Sequence, residues 1–214
     1  MSSRKIMAFV AVLVVAAVAV VVIVNSDGGD STPNNQVDGA FVSQMVPHHE
    51  SAIEMAKVAR VKAQHPQIIN LANDIVSSQS GEIDQMNRIH QRLFGKPIDR
   101  QAHGGLGMDA SMMGMDMDMS TLESAMPFDR EFIDQMIPHH QGAIRMARAE
   151  LGDGADQQTK ALANRIIAAQ SAEIVLMNEW RSKWYGSPSP AGGVPAADSG
   201  GESQSPDAMS AMDH

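Results

Sequence analysis

The stretch Phe41-Val-Ser-Gln-Met-Val-Pro-His-His-Glu-Ser-Ala-Ile-Glu-Met-Ala returns later in the chain as Phe132-Ile-Asp-Gln-Met-Ile-Pro-His-His-Gln-Gly-Ala-Ile-Arg-Met-Ala. The offset is 91 residues (132 minus 41), and it holds without a gap through Leu71/Leu162, Asn73/Asn164, Gln79/Gln170, Glu82/Glu173 and Met86/Met177. A register kept between 41–89 and 132–180 requires two copies of one supersecondary unit, each burying its apolar face against the other. Apolar spacing predicts helices over about 39–62 and 67–94 in the first copy, and about 128–150 and 157–185 in the second. Pro66, Gly95 and Pro97 punctuate one copy; Pro127, Gly152, Gly154 and Gly186 punctuate the other. Two αα-hairpins of this kind make an all-α, four-helix bundle over residues 39–186.

Arg4 and Lys5 precede a wholly apolar run over 6–24. As a helix it would be roughly 29 Å long, enough to cross a hydrocarbon core. The short basic end is expected on the cytoplasmic side, which places everything after Asn25 outside the cell membrane, at the cell surface or in a periplasm. A cleaved signal would instead release the domain as a secreted protein, but no small-residue cleavage site follows Val24, so residues 1–24 read as an anchor. Residues 25–38 read as a flexible stalk, and the linker 103–120 and the tail 187–214 as poorly ordered.

Composition excludes several chemistries. With a formal charge of −9 and only 4% aromatic residues, the chain has neither the basic face nor the stacking surface of a nucleic-acid binder. Without cysteine there is no disulfide framework, thiolate metal site or cysteine nucleophile.

The helical phase then decides what points inward. At 100° per residue, Met45, His48, His49 and Met55 all fall within roughly 80° of one another's common apolar stripe, while Glu50, Glu54 and Lys57 fall opposite. Their equivalents are Met136, His139, His140 and Met146. On the second helix, Glu82 sits at the centre of a face formed by Leu71, Ile75, Gln79, Met86 and Ile89, and Glu173 repeats it beside Gln170 and Met177. A buried carboxylate needs a partner or a cation, and an inward imidazole is the nearest. Pro47, inside the first helix, is expected to kink it and open space beside His48.

An inward histidine is ordinarily a satisfied core residue, and an inward methionine ordinarily fills gaps. Two His-His pairs, each bracketed by methionines, shift the reading to a metal site with Met45, His48, His49, Met55, Met136, His139, His140 and Met146 as ligands. Gln79, Glu82, Met86, Gln170, Glu173 and Met177 are supporting residues or further ligands. The linker carries Met108, Met112, Met113, Met115, Met117 and Met119 among Gly, Asp and Ser, where no helical stripe can use them, and the tail adds Met209, Met212 and His214. Thioether is a soft donor that favours Cu(I), and imidazole serves both copper states. A copper ion, as Cu(I), is therefore the expected cargo, with the linker methionines as auxiliary capture sites.

Three other functions compete with that reading. A di-iron oxidase needs Glu-x-x-His on two helices, whereas Gln85 and Leu176 occupy the positions three after Glu82 and Glu173. Haem held by His and Met inside a bundle, for electron transfer, needs no covalent motif. A structural or partner-binding bundle needs no site at all.

The repeated Phe-x-x-x-Met-[Val/Ile]-Pro-His-His-x-x-Ala-Ile-x-Met-Ala, with Gln-x-x-Glu-Ile-x-x-Met following in each copy, strongly resembles the DUF305 family over about 40–185. That resemblance implies a ferritin-like four-helix domain exported from bacteria, and a copper or silver role without turnover. It matches Met45, His48, His49, Met55 and their equivalents to the family motif. A copper-accepting protein is the partner such a role implies.

Overall fold

A computed structural model describes residues 35–99 and 105–197, and these form an all-helical unit with no strand among them. Helix α1 (Asn35–Lys62) and α2 (Pro66–Phe94) form one hairpin; a short α3 (Met119–Ser124) precedes the second, α4 (Phe128–Asp153) and α5 (Gln157–Tyr185). Both proline-containing helices run on through Pro47 and Pro138.

The hairpins meet through α1 and α4. Ala52, Met55 and Ala56 of α1 share one buried cluster with Phe132, Ile133, Met136 and Ile137 of α4. Phe41, Val42, Met45 and Val46 share the other with Ala143, Met146 and Ala147. The start of each helix thus packs on the end of the other, so α1 and α4 are antiparallel and cross midway, at the His-His pairs. The two clusters exchange under the repeat: Met45, Met86 and Met146 lie in one, and their equivalents Met136, Met177 and Met55 in the other. Each buried methionine contributes about 1.5–3 kcal/mol of hydrophobic stabilisation.

Each hairpin turn is capped from the other copy. The buried Asp129 accepts from the backbone N–H groups of Gln64 (3.0 Å) and His65 (2.8 Å), where α2 has no cap of its own. Its equivalent Asp38 accepts from Ala155 N–H (3.1 Å) and Asp156 N–H (2.9 Å). Charge-assisted bonds of this kind satisfy helix N–H groups that would otherwise be orphaned. Beyond the caps the copies diverge. His65 bonds Asp129 through Nδ1 at 2.6 Å and stacks on Trp184 at 3.7 Å. In the second copy Asp156 replaces His65, and Glu150 replaces Ala59. Glu150 is fully buried beside Asp38, and burial followed by that carboxylate pushes its acid constant up to about 9, so it is neutral near pH 7.

Several expectations are corrected. Residues 35–38 are the first turn of α1 rather than stalk, because that turn carries the buried Asp38 into its capping position. Helix α3 was too short to show a period; Asp118 caps it through Ser120 N–H and Thr121 N–H, and Leu122 is buried in the core. The linker over 105–118 and the start of the tail over 187–197 are packed segments with fixed partners. Arg181 holds Ser187 and Pro188 by their carbonyls (2.8 Å each), and Gln141 holds Ala191 (2.8 Å) and Gly193 (2.7 Å). Among the described residues no helix is long and apolar enough to cross a membrane. The apolar run over 6–24, most of the stalk, and Met209, Met212 and His214 lie outside the described residues.

Candidate metal centre

At the α1–α4 crossing, four imidazoles form the central layer of the bundle. His48 and its equivalent His139 face each other across the pseudo-two-fold, with ring centroids 3.7 Å apart and planes inclined by 35°. His49 and His140 flank them, 6.4 and 6.3 Å from their neighbours. All four are buried to 1% exposure or less. Rings this close leave no space for a porphyrin between His48 and His139.

The proton on each ring follows from its partner. His49 Nε2–H donates to Glu82 Oε2 at 2.8 Å, and His140 Nε2–H donates to Glu173 Oε2 at 2.6 Å. His48 Nε2–H donates to the Met113 carbonyl at 2.9 Å, since a carbonyl can only accept. His139 Nε2 lies 2.8 Å from Ser51 Oγ, whose own proton goes to the His48 carbonyl at 2.6 Å, so here too Nε2 is the donor. In every neutral ring the proton is therefore on Nε2, and the lone pair is on Nδ1. All four Nδ1 atoms are buried without a hydrogen-bond partner. An orphaned buried acceptor costs roughly 1–3 kcal/mol, so four in one layer is a concentration of unmet demand.

Electrostatics keep the central pair neutral. Burial lowers the His48 constant from 6.5 to about 3, and the neighbouring His49 and His140 lower it further than burial alone would. Burial, then His48, His140 and His49, holds His139 well below the ordinary imidazole value. A neutral imidazole is the form that binds a metal, and proton competition at Nδ1 is thereby removed.

Glu82 and Glu173 sit nearer the rim than a central position on an apolar face implies, with 20% and 18% side-chain exposure. Gln79 and Gln170 are buried, each with an unpartnered Oε1. One turn from Glu82 and Glu173, Met86 and Met177 are fully buried, as are Met45, Met55, Met136 and Met146. Three to four residues of helix separate the nearest of these methionines from the histidine layer, or about 4.5–6 Å of rise. Thioethers thus lie above and below four bare imidazole nitrogens. Among the described residues, no three His, Cys, Asp or Glu side chains are already gathered as a metal-holding group.

The linker methionines are less exposed than a free capture arm. Only Met112 is largely open, at 52%. Met108 and Met113 pack on the cluster holding Met45, Met86 and Met146, and Met117 and Met119 on the cluster holding Met55, Met136 and Met177. Met115 is half-buried, its Sδ 3.8 Å from Ser51 Oγ.

Sequence reasoning missed Ser51, the Met113 carbonyl and Gly142. Ser51 and Gly142 are equivalent positions, and their mismatch within the repeated motif was the available signal. A Cβ on Gly142 would overlap the Met113 carbonyl, so only glycine lets the linker backbone reach His48 there. In copy one the serine hydroxyl performs the equivalent service for His139.

A family model described as a domain of unknown function, DUF305, matches residues 38–181 and, again, 151–214. The solved structure of CopM in its Cu(I)-bound form is 39% identical, covering 69% of this chain and 97% of that one, at a TM-score of 0.61. CopM is also known in Ag-bound and Cu(II)-bound forms at similar likeness. A DUF305 protein from Streptomyces coelicolor is 25% identical over 72% of this chain and 96% of its own, at a TM-score of 0.64. An uncharacterized protein, L153, of Acanthamoeba polyphaga mimivirus is 42% identical over 52 residues. That match spans 34% of the relative and 24% of this chain.

Proposed function

The chain belongs to the DUF305 family, and on that footing we propose that it is an extracytoplasmic copper-binding protein that holds Cu(I), and Ag(I) in its place, by imidazole and thioether. Four buried imidazoles with committed Nε2–H groups and bare Nδ1 lone pairs carry the proposal. His48, His49, His139 and His140 would offer Nδ1, and Met45, Met86, Met136 and Met177 the nearest thioethers. Met55 and Met146 lie one turn further out. Soft donors in an apolar interior favour a monovalent soft ion over a harder, more hydrated one. The likeness to CopM, which binds Cu(I), Cu(II) and Ag, supports the choice of metal.

The role is that of a buffer or carrier, without turnover, and an acceptor protein for copper is its expected partner. The apolar run over 6–24 would hold the domain at the outer face of a membrane. The test is anaerobic Cu(I) titration of the full chain beside a variant with His48, His49, His139 and His140 replaced by Ala, each checked for helix content. The parent should show a tight site that the folded variant lacks. Equal affinity in both would remove the histidine layer from the proposal.

A further inference from the structure

The two copies differ at Ser51 and Gly142, and that difference seats the linker. Ser51 covers His139 in copy one, whereas Gly142 in copy two leaves a gap that the Met113–Gly114 backbone fills. The fit is tight on both sides. A Cβ on Gly142 would overlap the Met113 carbonyl, and one on Gly114, at φ +69°, would overlap the Pro138 carbonyl. Two residues on, Met115 comes back over the same layer, with its thioether against Ser51, which in turn bonds His139. Met112, next to Met113, is the linker methionine open to solvent.

We propose that Met115 is a metal-binding residue of the linker, the thioether through which a soft monovalent cation passes between solvent and the His48/His139 pair, and that Gly142 exists to hold it there. This rests on the copper-binding reading above. A thioether held 3.8 Å from Ser51 Oγ lies one hydroxyl away from His139, whose Nε2–H bonds that oxygen. Passage needs only ligand exchange: a Met115–metal bond gives way to an imidazole–metal bond, with no change in oxidation state. The single linker spans both halves of the bundle and needs no second port, which explains why the duplication is broken here and kept at the interior ligands.

Two substitutions separate this from a structural role. Met115→Leu keeps the volume and loses the donor. Gly142→Ser restores the hydroxyl found in copy one, which accepts from His48 Nε2 in place of the Met113 carbonyl and displaces the linker. Two readouts are taken on the full chain: hydrogen exchange of amides 113–115 without metal, and the anaerobic rate of Cu(I) transfer to a bidentate chelator. Gly142→Ser should speed exchange at 113–115 by about tenfold or more, the signature of a released segment. Met115→Leu should slow transfer about tenfold, the span of a barrier raised by roughly 1.4 kcal/mol. Added to Gly142→Ser, Met115→Leu should change transfer no further, because Met115 has already left the site.

Parent-like transfer in Met115→Leu overturns the proposal, as does an undiminished Met115→Leu effect in the Gly142→Ser background. Failure of the underlying reading looks different: the parent then binds no Cu(I) in the equilibrium titration, whatever the exchange data report about the linker.

Discussion

The two copies agree inside the bundle and differ where each meets a loop. Within it, His49–Glu82 and His140–Glu173 are the same hydrogen bond made twice, and the methionines exchange between two clusters as a two-fold axis requires. Elsewhere Ser51 corresponds to Gly142, His65 to Asp156 and Ala59 to Glu150. The interior matches concern donors and core volumes, while two of these mismatches are in contact with something present only once. Gly142 receives the linker, His65 stacks on Trp184, and Glu150 lies against the α4–α5 turn. A duplicated chain keeps in common what the shared centre needs and diverges where its unique segments dock.

If the copies are energetically equal in the interior, Met45→Ala and Met136→Ala should cost about 3 kcal/mol each and agree within roughly 1 kcal/mol. Denaturant unfolding measures both; a cost in one copy only would break the equivalence. The next effect belongs to copy two alone. Glu150 holds its proton far more tightly folded than unfolded, so the stability it provides is complete below pH 4.5 and is lost as pH rises toward 9. Glu150→Gln should flatten that window, recovering roughly 2 kcal/mol between pH 6 and pH 8. Unchanged pH dependence in that variant would show that Glu150 is ionised in the fold.

The His48/His139 pair titrates with the opposite sign. His48 binds its proton less tightly folded than unfolded, so its contribution is complete above pH 6.5 and is lost as pH falls toward 3. His139 acts in the same direction. Metal-free protein should lose about 1 kcal/mol per pH unit for each of these two rings below pH 6.5, and His48→Gln with His139→Gln should remove that slope. Acid unfolding followed by circular dichroism reads it; a slope surviving in the double variant would place the charge elsewhere.

The hairpins and the inward stripe were legible because period and duplication reinforced each other: His48, His49, Met45 and Met55 fall where a 3.6-residue turn puts them. The helix ends α2 and α5 were legible from Pro66, Gly95 and Gly186 for the same local reason. The rest depended on contacts distant in sequence. Asp38 and Asp129 look like ordinary first-turn acids until the opposite hairpin supplies the N–H groups they cap. The linker looked solvated because its composition is that of a loop; its packing comes from backbone carbonyls and glycines, which leave no periodic trace. Six residues of α3 held by one aspartate are equally silent.

Nitrogen-15 NMR of histidine side chains, on metal-free and Cu(I)-loaded full chain, distinguishes Nδ1 from Nε2 in each ring directly. Nε2 should keep its proton in all four rings while Nδ1 resonances of the His48/His139 layer shift on loading. Loss of the Nε2 proton signals on loading, with Nδ1 unmoved, would mean that the hydrogen bonds to Glu82, Glu173, Ser51 and Met113 are what metal displaces, and that the bare nitrogens face nothing.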